Sequence, residues 1–151
     1  MTASGIPGTA RARAVAFCER FGLRTPILLA PMAGSTPPAL GAAVANAGGM
    51  AGFGALNSKP AAIAAWAKES RARSNGAFQV NLWSPDPPPV RDAVREEATA
   101  SFLSRFGPAP AIPGDGPLVE DFDAQCEAVL AAAPAVMSSI MGLFPDRVVA
   151  A

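Results

Sequence analysis

The stretch at residues 25–58, TPILLAPMAGSTPPALGAAVANAGGMAGFGALNS, contains no charged residue. A run of that length is either a membrane span or the buried framework of a compact domain. Pro31, Pro37, Pro38 and the pair Gly48-Gly49 cut it into pieces shorter than the roughly 20 apolar residues a membrane helix needs. The run therefore reads as a short apolar strand at 26–30, a loop at Pro31-Met32-Ala33-Gly34, an alanine-rich helix and a second, glycine-dense strand at 50–55. In α/β proteins, ligands sit in the loops at the C-terminal ends of strands. A small, uncharged loop at that place suits a broad, flat ligand lying against backbone.

The same alternation continues downstream. Residues 12–21 read as a short helix before the first strand, with Gly22 as its stop. Thr36 is expected to cap the helix at 37–47, and Ser58 the helix that runs to about residue 74, with Ile63, Ala64, Trp66 and Ala67 facing inward. FQVNLW at 78–83 reads as a third strand, followed by a proline-rich loop at 84–89. Val90, Val94, Ala98, Phe102 and Phe106 recur every four residues and predict an amphipathic helix. A second Pro/Gly-rich loop spans 107–117. Asp121 or Asp123 then opens a helix with apolar positions Phe122, Cys126, Val129 and Leu130, and AVMSSIM at 135–141 is a fourth strand. Asp146 opens a last helix.

Strands alternating with helices imply an α/β fold with a parallel sheet, either an open doubly wound sheet or a (β/α)8 TIM barrel. A barrel usually needs about 250 residues. The 151 residues thus predict one domain holding about the first four β/α units, with no second domain. Unpaired outer strands would leave open sheet edges, so such a chain is expected to self-associate, aggregate or fold loosely, and a homo-oligomer through those edges is one outcome.

Composition removes several function classes. Twelve basic and 12 acidic side chains give a net charge of +0, and no basic stripe points to nucleic acid. Histidine is absent, which excludes a histidine base, a histidine metal ligand and a Ser-His-Asp triad within these residues. Cys18 and Cys126 lack metal or redox spacing and read as reduced thiols, so no metal site is expected. No secretory signal is evident, which makes a cytoplasmic protein the expectation.

Three segments carry a family resemblance. GLRTPILLAPMAGSTPPALGAAVANAGGMAGFGAL, FQVNLWSPDPPP and DFDAQCEAVLAAAPAVMSSIMG, together residues 22–145, resemble the N-terminal half of nitronate monooxygenases, once called 2-nitropropane dioxygenases. The APMAG loop with its AGG turn is shared by the wider group of FMN barrels, and VNLW before a polyproline loop favours the nitronate branch. The resemblance implies an FMN-dependent barrel that oxidises alkyl nitronates to a carbonyl compound and nitrite with O2. It implies that Ala30, Pro31, Met32 and Ala33 line the flavin and that Asn81 binds it. The amide of Asn81, in an otherwise apolar strand, needs polar partners in any case. The family's catalytic histidine has no counterpart here, so the catalytic base is expected to lie outside these residues and the catalytic residues are unknown. Where some members read SFHFG, this chain has Ser138-Ser139-Ile140-Met141-Gly142. Two alternatives stay open: another FMN-barrel oxidoreductase such as a flavin-type enoyl-acyl-carrier-protein reductase, and a non-catalytic half-barrel.

Overall fold

The computed structural model describes residues 8–87, 90–108 and 120–151. They divide into two compact units, one formed by residues up to 85 and from 119 on, the other by residues 86–118.

The first unit opens with helix α1 (Ala10–Phe21), whose N-terminal cap is Thr9 and whose end is Gly22 in the left-handed region at φ 66. The glycine stop expected from sequence is therefore present. Next come α2 (Pro38–Asn46), β1 (Ala51–Gly54), α3 (Pro60–Arg73) and β2 (Phe78–Trp83). After the second unit the chain returns with α5 (Phe122–Ala132), β3 (Val136–Ile140) and α6 (Asp146–Val149). The strands form a parallel sheet in the order β1-β2-β3. The α/β class and the parallel arrangement agree with the sequence reading.

The first expected strand does not form a ladder. Residues 26–30 contribute one parallel bridge, Leu28 to Met50. Leu29 N–H donates to Met50 O and Met50 N–H to Ile27 O, both at 2.9 Å. Beyond that point Leu29 O accepts from the Gln79 side chain at 3.1 Å, so a side-chain amide replaces the next rung. Pro26 and Pro31, which lack an N–H, bound the segment on both sides.

Alternation along the strands gives the sheet two unlike faces. Ala51, Phe53, Phe78, Val80 and Leu82 belong to the core with Ile63, Trp66 and Ala67 of α3 and Cys126 and Val129 of α5. The Phe53 and Trp66 rings stack at 4.7 Å, and Phe78 meets Trp66 edge-on at 5.7 Å. Gly41 of α2 allows this approach, because a Cβ there would lie 3.0 Å from the Trp66 ring. Full burial of each large aliphatic side chain, such as Leu82, Val80 or Ile63, contributes about 1.5–3 kcal/mol. Gly52, Gly54, Gln79, Asn81, Trp83, Val136, Ser138 and Ile140 alternate with these residues and point to the opposite face.

Several local expectations are corrected. Thr36 does not cap α2; Pro37 takes that position, and the Thr36 hydroxyl donates to Met32 O instead. Ser58 does not cap α3, since the cap is Lys59 with no side-chain bond. In both cases a proline in the first turn supplies the helical φ that a cap would otherwise help to set. Ala64 is exposed, and Ser70 takes the inward position in the next turn. Leu130 is 38% exposed, and the buried face of α5 carries Gln125, Cys126, Val129 and Ala132. Asp121, one of the two candidates, is the cap of α5.

In the second unit, helix α4 (Ala93–Leu103) is capped by Asp92, which accepts from Arg95 N at 3.1 Å. Glu96 returns the contact by accepting from Asp92 N at 3.3 Å, a variant of the capping box. Val90 and Phe106 of the expected stripe fall outside the helix, and Val94 is 80% exposed. The 107–117 loop lies outside the described residues apart from Gly107 and Pro108. Among the described residues, no helix is long and apolar enough to cross a membrane.

Candidate functional site

Parallel pairing brings the C-terminal ends of the strands to one edge of the sheet. The register aligns Gly54, Asn81 and Ser138 in a single row. Asn81 and Ser138 point to the face away from the helices, and Asn81 Nδ2 donates to Ser138 Oγ at 3.0 Å. This contact supplies a partner for the amide that the sequence placed in an apolar strand.

The loop after the Leu28 bridge sits against the same row. Ser35 N–H donates to Met32 O at 3.0 Å, closing a β-turn over Met32–Ala33–Gly34–Ser35. Gly34 occupies its third position at φ 75, the value a type II turn requires and one that side chains other than glycine's resist. A Cβ on Gly34 would meet nothing within 4 Å, so that side of the turn is open. A Cβ on Gly54 would lie 2.6 Å from Ala33 N and 2.9 Å from Met32 C. Glycine at 54 is thus what lets the loop backbone lie on the strand end beside Asn81.

Thr36 and Trp66 hold this loop from beneath. Thr36 is 4% exposed, and its hydroxyl donates to Met32 O at 3.1 Å. Its own carbonyl accepts from Trp66 Nε1 at 2.7 Å. Met32 itself is 42% exposed. Among the described residues, the Ala33 and Gly34 N–H groups have no acceptor.

On the far side, Ser84 N–H donates to Ile140 O at 3.0 Å, and Ser139 Oγ donates to Gly142 O at 2.7 Å. Met141 follows at φ 69, a left-handed conformation that a side-chain-bearing residue rarely adopts. The strand-end segments 30–36, 54–58, 81–84 and 138–145 carry no charged side chain. Their polar groups are neutral amides, hydroxyls and backbone N–H groups. Among the described residues, no cluster of three or more His, Cys, Asp or Glu side chains could hold a metal ion.

The structure therefore brings Met32, Ala33 and Asn81 together around Gly54, with Ala30 and Pro31 leading into the turn. It adds Ser138 as the partner of Asn81, and Thr36, Trp66 and Gln125 as supports that sequence reasoning left out. Gln125 lies four residues before Val129, on the buried face of α5. A lone amide at that spacing among apolar positions was its only signal in the sequence.

Taken together, a parallel sheet of alternating strands and helices with an uncharged, backbone-rich surface at the strand C-termini makes this an α/β protein, a class in which strand ends are the usual ligand position. No protein-family model matches the chain. It is 35% identical over 100 residues to nitronate monooxygenase of Pseudomonas aeruginosa, a match covering 64% of this chain and 28% of that protein. It is 38% identical over 95 residues to nitronate monooxygenase of Paraburkholderia phytofirmans, covering 59% and 25%. The fold is similar to that of nitroalkane oxidase from Streptomyces ansochromogenes, with TM-score 0.72 and 28% identity over 89% of this chain and 38% of that one. The chain is similar to nitronate monooxygenases over a matched segment that spans about a quarter of the length of those curated relatives.

Proposed function

We propose that these residues form one wall of a flavin site in an FMN-dependent, nitronate-oxidising (β/α)8 barrel, of which this chain supplies the first β/α units. The observation that carries the reading is the aligned row Gly54–Asn81–Ser138 with the Met32–Ser35 turn laid against it. The resident groups suit the polar edge of an isoalloxazine ring. Ala33 and Gly34 offer N–H donors without acceptors among the described residues, and Asn81 offers an amide fixed by Ser138. Gly34 leaves open space where a flat ring needs contact with main chain.

In this reading Ala30, Pro31, Met32 and Ala33 line one side of the ring and Asn81 binds it. Bound FMN supplies the electron acceptance and the reaction with O2. The chain's own part is to bind, orient and shield. The turn presents main-chain donors in a fixed geometry, Ser138 holds the Asn81 amide, and half-exposed Met32 excludes water from the ring's neighbourhood. Removal of the substrate's proton is assigned to no residue of this chain, which has no histidine. The strand-end segments 30–36, 54–58, 81–84 and 138–145 offer the phosphate no cation. The open edges at Leu28 and Ile140, which are 40% and 52% exposed, fit strands meant to be flanked by further strands.

The test is the visible absorption spectrum of the purified 151-residue chain after FMN is added and excess removed by desalting. Retained flavin near one per chain is expected, with a loss on Asn81→Ala. A folded chain that retains none overturns the assignment of this wall as sufficient for binding. Nitrite release from alkyl nitronates then separates nitronate oxidation from other flavin chemistry.

A further inference from the structure

Gln125 stands apart from the other buried side chains. It is 2% exposed in a helix face otherwise made of Cys126, Val129 and Ala132. Its Nε2 donates to Ala55 O at 3.0 Å, Leu56 O at 3.1 Å and Ser58 O at 2.9 Å. Two amide protons are shared among three carbonyls of one short loop, the one that leaves the end of β1. A buried amide in a helix is costly unless all its contacts are made, and here they converge on a single target. The loop in turn reaches the candidate site, because Ala55 N–H donates to Asn81 O at 2.9 Å. Gly54, the residue on which the Met32–Ser35 turn rests, immediately precedes Ala55.

We infer that Gln125 is a positioning residue for the strand-end site, fixing the 55–58 loop and through Ala55 the backbone of Asn81. It touches neither the turn nor the face where a ligand would lie. Its action passes through hydrogen bonds made to main chain by a side chain about 70 residues further along the sequence. The alternative is that Gln125 merely anchors α5 to the core, in which case any substitution of the α5 buried face would act alike. The inference rests on the flavin reading only for its binding consequence, not for the loop itself.

The experiment compares Gln125→Met, which keeps the side chain's length but removes its donors, with Val129→Ala one turn along the same face. Two readouts are taken on each variant. One is amide hydrogen exchange at Ala55, set against exchange at core amides of β2. The other is the dissociation constant for FMN, measured under conditions where each variant is folded. In Val129→Ala, Ala55 exchange should rise only as much as the core amides, and FMN affinity should stay within about twofold. In Gln125→Met, Ala55 exchange should rise about tenfold beyond the core amides, and the FMN dissociation constant about tenfold. Should Gln125→Met not fold, Gln125→Asn, whose shorter amide reaches fewer of the three carbonyls, takes its place with the same expectations. Ala55 exchange that tracks the core in the Gln125 variant overturns the inference. If the unsubstituted chain binds no FMN, this wall is not sufficient for binding, while the exchange at Ala55 still decides the role of Gln125.

Discussion

The two faces of one small sheet differ in almost every respect although the same strands build both. Towards the helices, Phe53, Val80 and Leu82 interlock with Ile63, Trp66 and Val129, and the contacts are apolar and closely packed. Towards the other side, Gly52, Gly54, Gln79, Asn81 and Ser138 present backbone and neutral polar groups beside the apolar Trp83, Val136 and Ile140. The first face holds the unit together by area removed from water. The second is organised by a few directed hydrogen bonds: Gln79 to Leu29, Asn81 to Ser138, Thr36 to Met32. Stability is thus concentrated on one face and shape on the other, and substitutions should separate the two.

The largest effect is expected on the apolar face. Leu82→Ala should lower unfolding free energy by about 2–5 kcal/mol, read as a shifted urea midpoint with unchanged slope. Its neighbour in sequence, Asn81, faces the other way, so FMN affinity of the folded fraction should change little. A large affinity loss in that variant would break the division between faces.

Gly54→Ala comes next. The added Cβ would lie 2.6 Å from Ala33 N, so the turn must move away from the strand end. A loss of about 1–3 kcal/mol is expected, with altered backbone chemical shifts at Ala33 and Asn81. Unchanged shifts at both positions would mean that the loop does not rest on Gly54.

Thr36→Val removes the hydroxyl bond to Met32 O and keeps the side chain's shape, which should cost about 0.5–1.5 kcal/mol. Ser35 N–H, which shares the Met32 acceptor, should exchange faster. Thr36→Ser should restore the protection; if it does not, packing and not the hydroxyl holds the turn.

The smaller effects concern charge. Burial pushes the Cys126 thiol above its ordinary value of 9.0, with Asp123 adding to the rise and Arg147 opposing it. A group with a raised folded-state pKa contributes stability that is intact below its unfolded value and lost as pH rises past it. Denaturation midpoints should therefore fall above about pH 9 in the native chain and less so in Cys126→Ala. Alkylation at neutral pH should label Cys18 and spare buried Cys126 until the chain unfolds. In the second unit, the Arg91 guanidinium holds the Glu96 carboxyl below its ordinary value of 4.5 by hydrogen bonding. Its contribution to the start of α4 should persist above that value and disappear as pH falls through the lowered one, which a carboxyl NMR titration reads directly. A Glu96 titration at the ordinary value would remove the pairing from the account.

Much of the framework was legible because it depends on local pattern. FQVNLW marked β2 at its observed bounds, Phe78–Trp83, and Gly22 marked the end of α1. The uncharged 25–58 run marked β1, buried throughout, but the strand expected at 26–30 is not buried, with Ile27 61% and Leu28 40% exposed. Of the site, the turn and Asn81 were legible through a resemblance that quoted APMAG and VNLW. The supports were not. Thr36 read as a cap because a threonine before two prolines has the chemistry of one, and only the seating of Trp66 beneath it gave its groups other partners. The first strand read as a full strand because its apolar run is continuous, whereas pairing ends where Gln79 takes the next carbonyl.

The sequence by itself determined the alternation of helix and strand, the neutral character of the strand ends and the resemblance to nitronate monooxygenases. These follow from side-chain type and spacing along the chain. Tertiary structure alone decided which residues meet: Asn81 with Ser138, Thr36 with Trp66, and Gln125 with the 55–58 loop. Sheet register and helix packing set those pairs, and both arise from contacts between segments tens of residues apart, which local pattern does not encode.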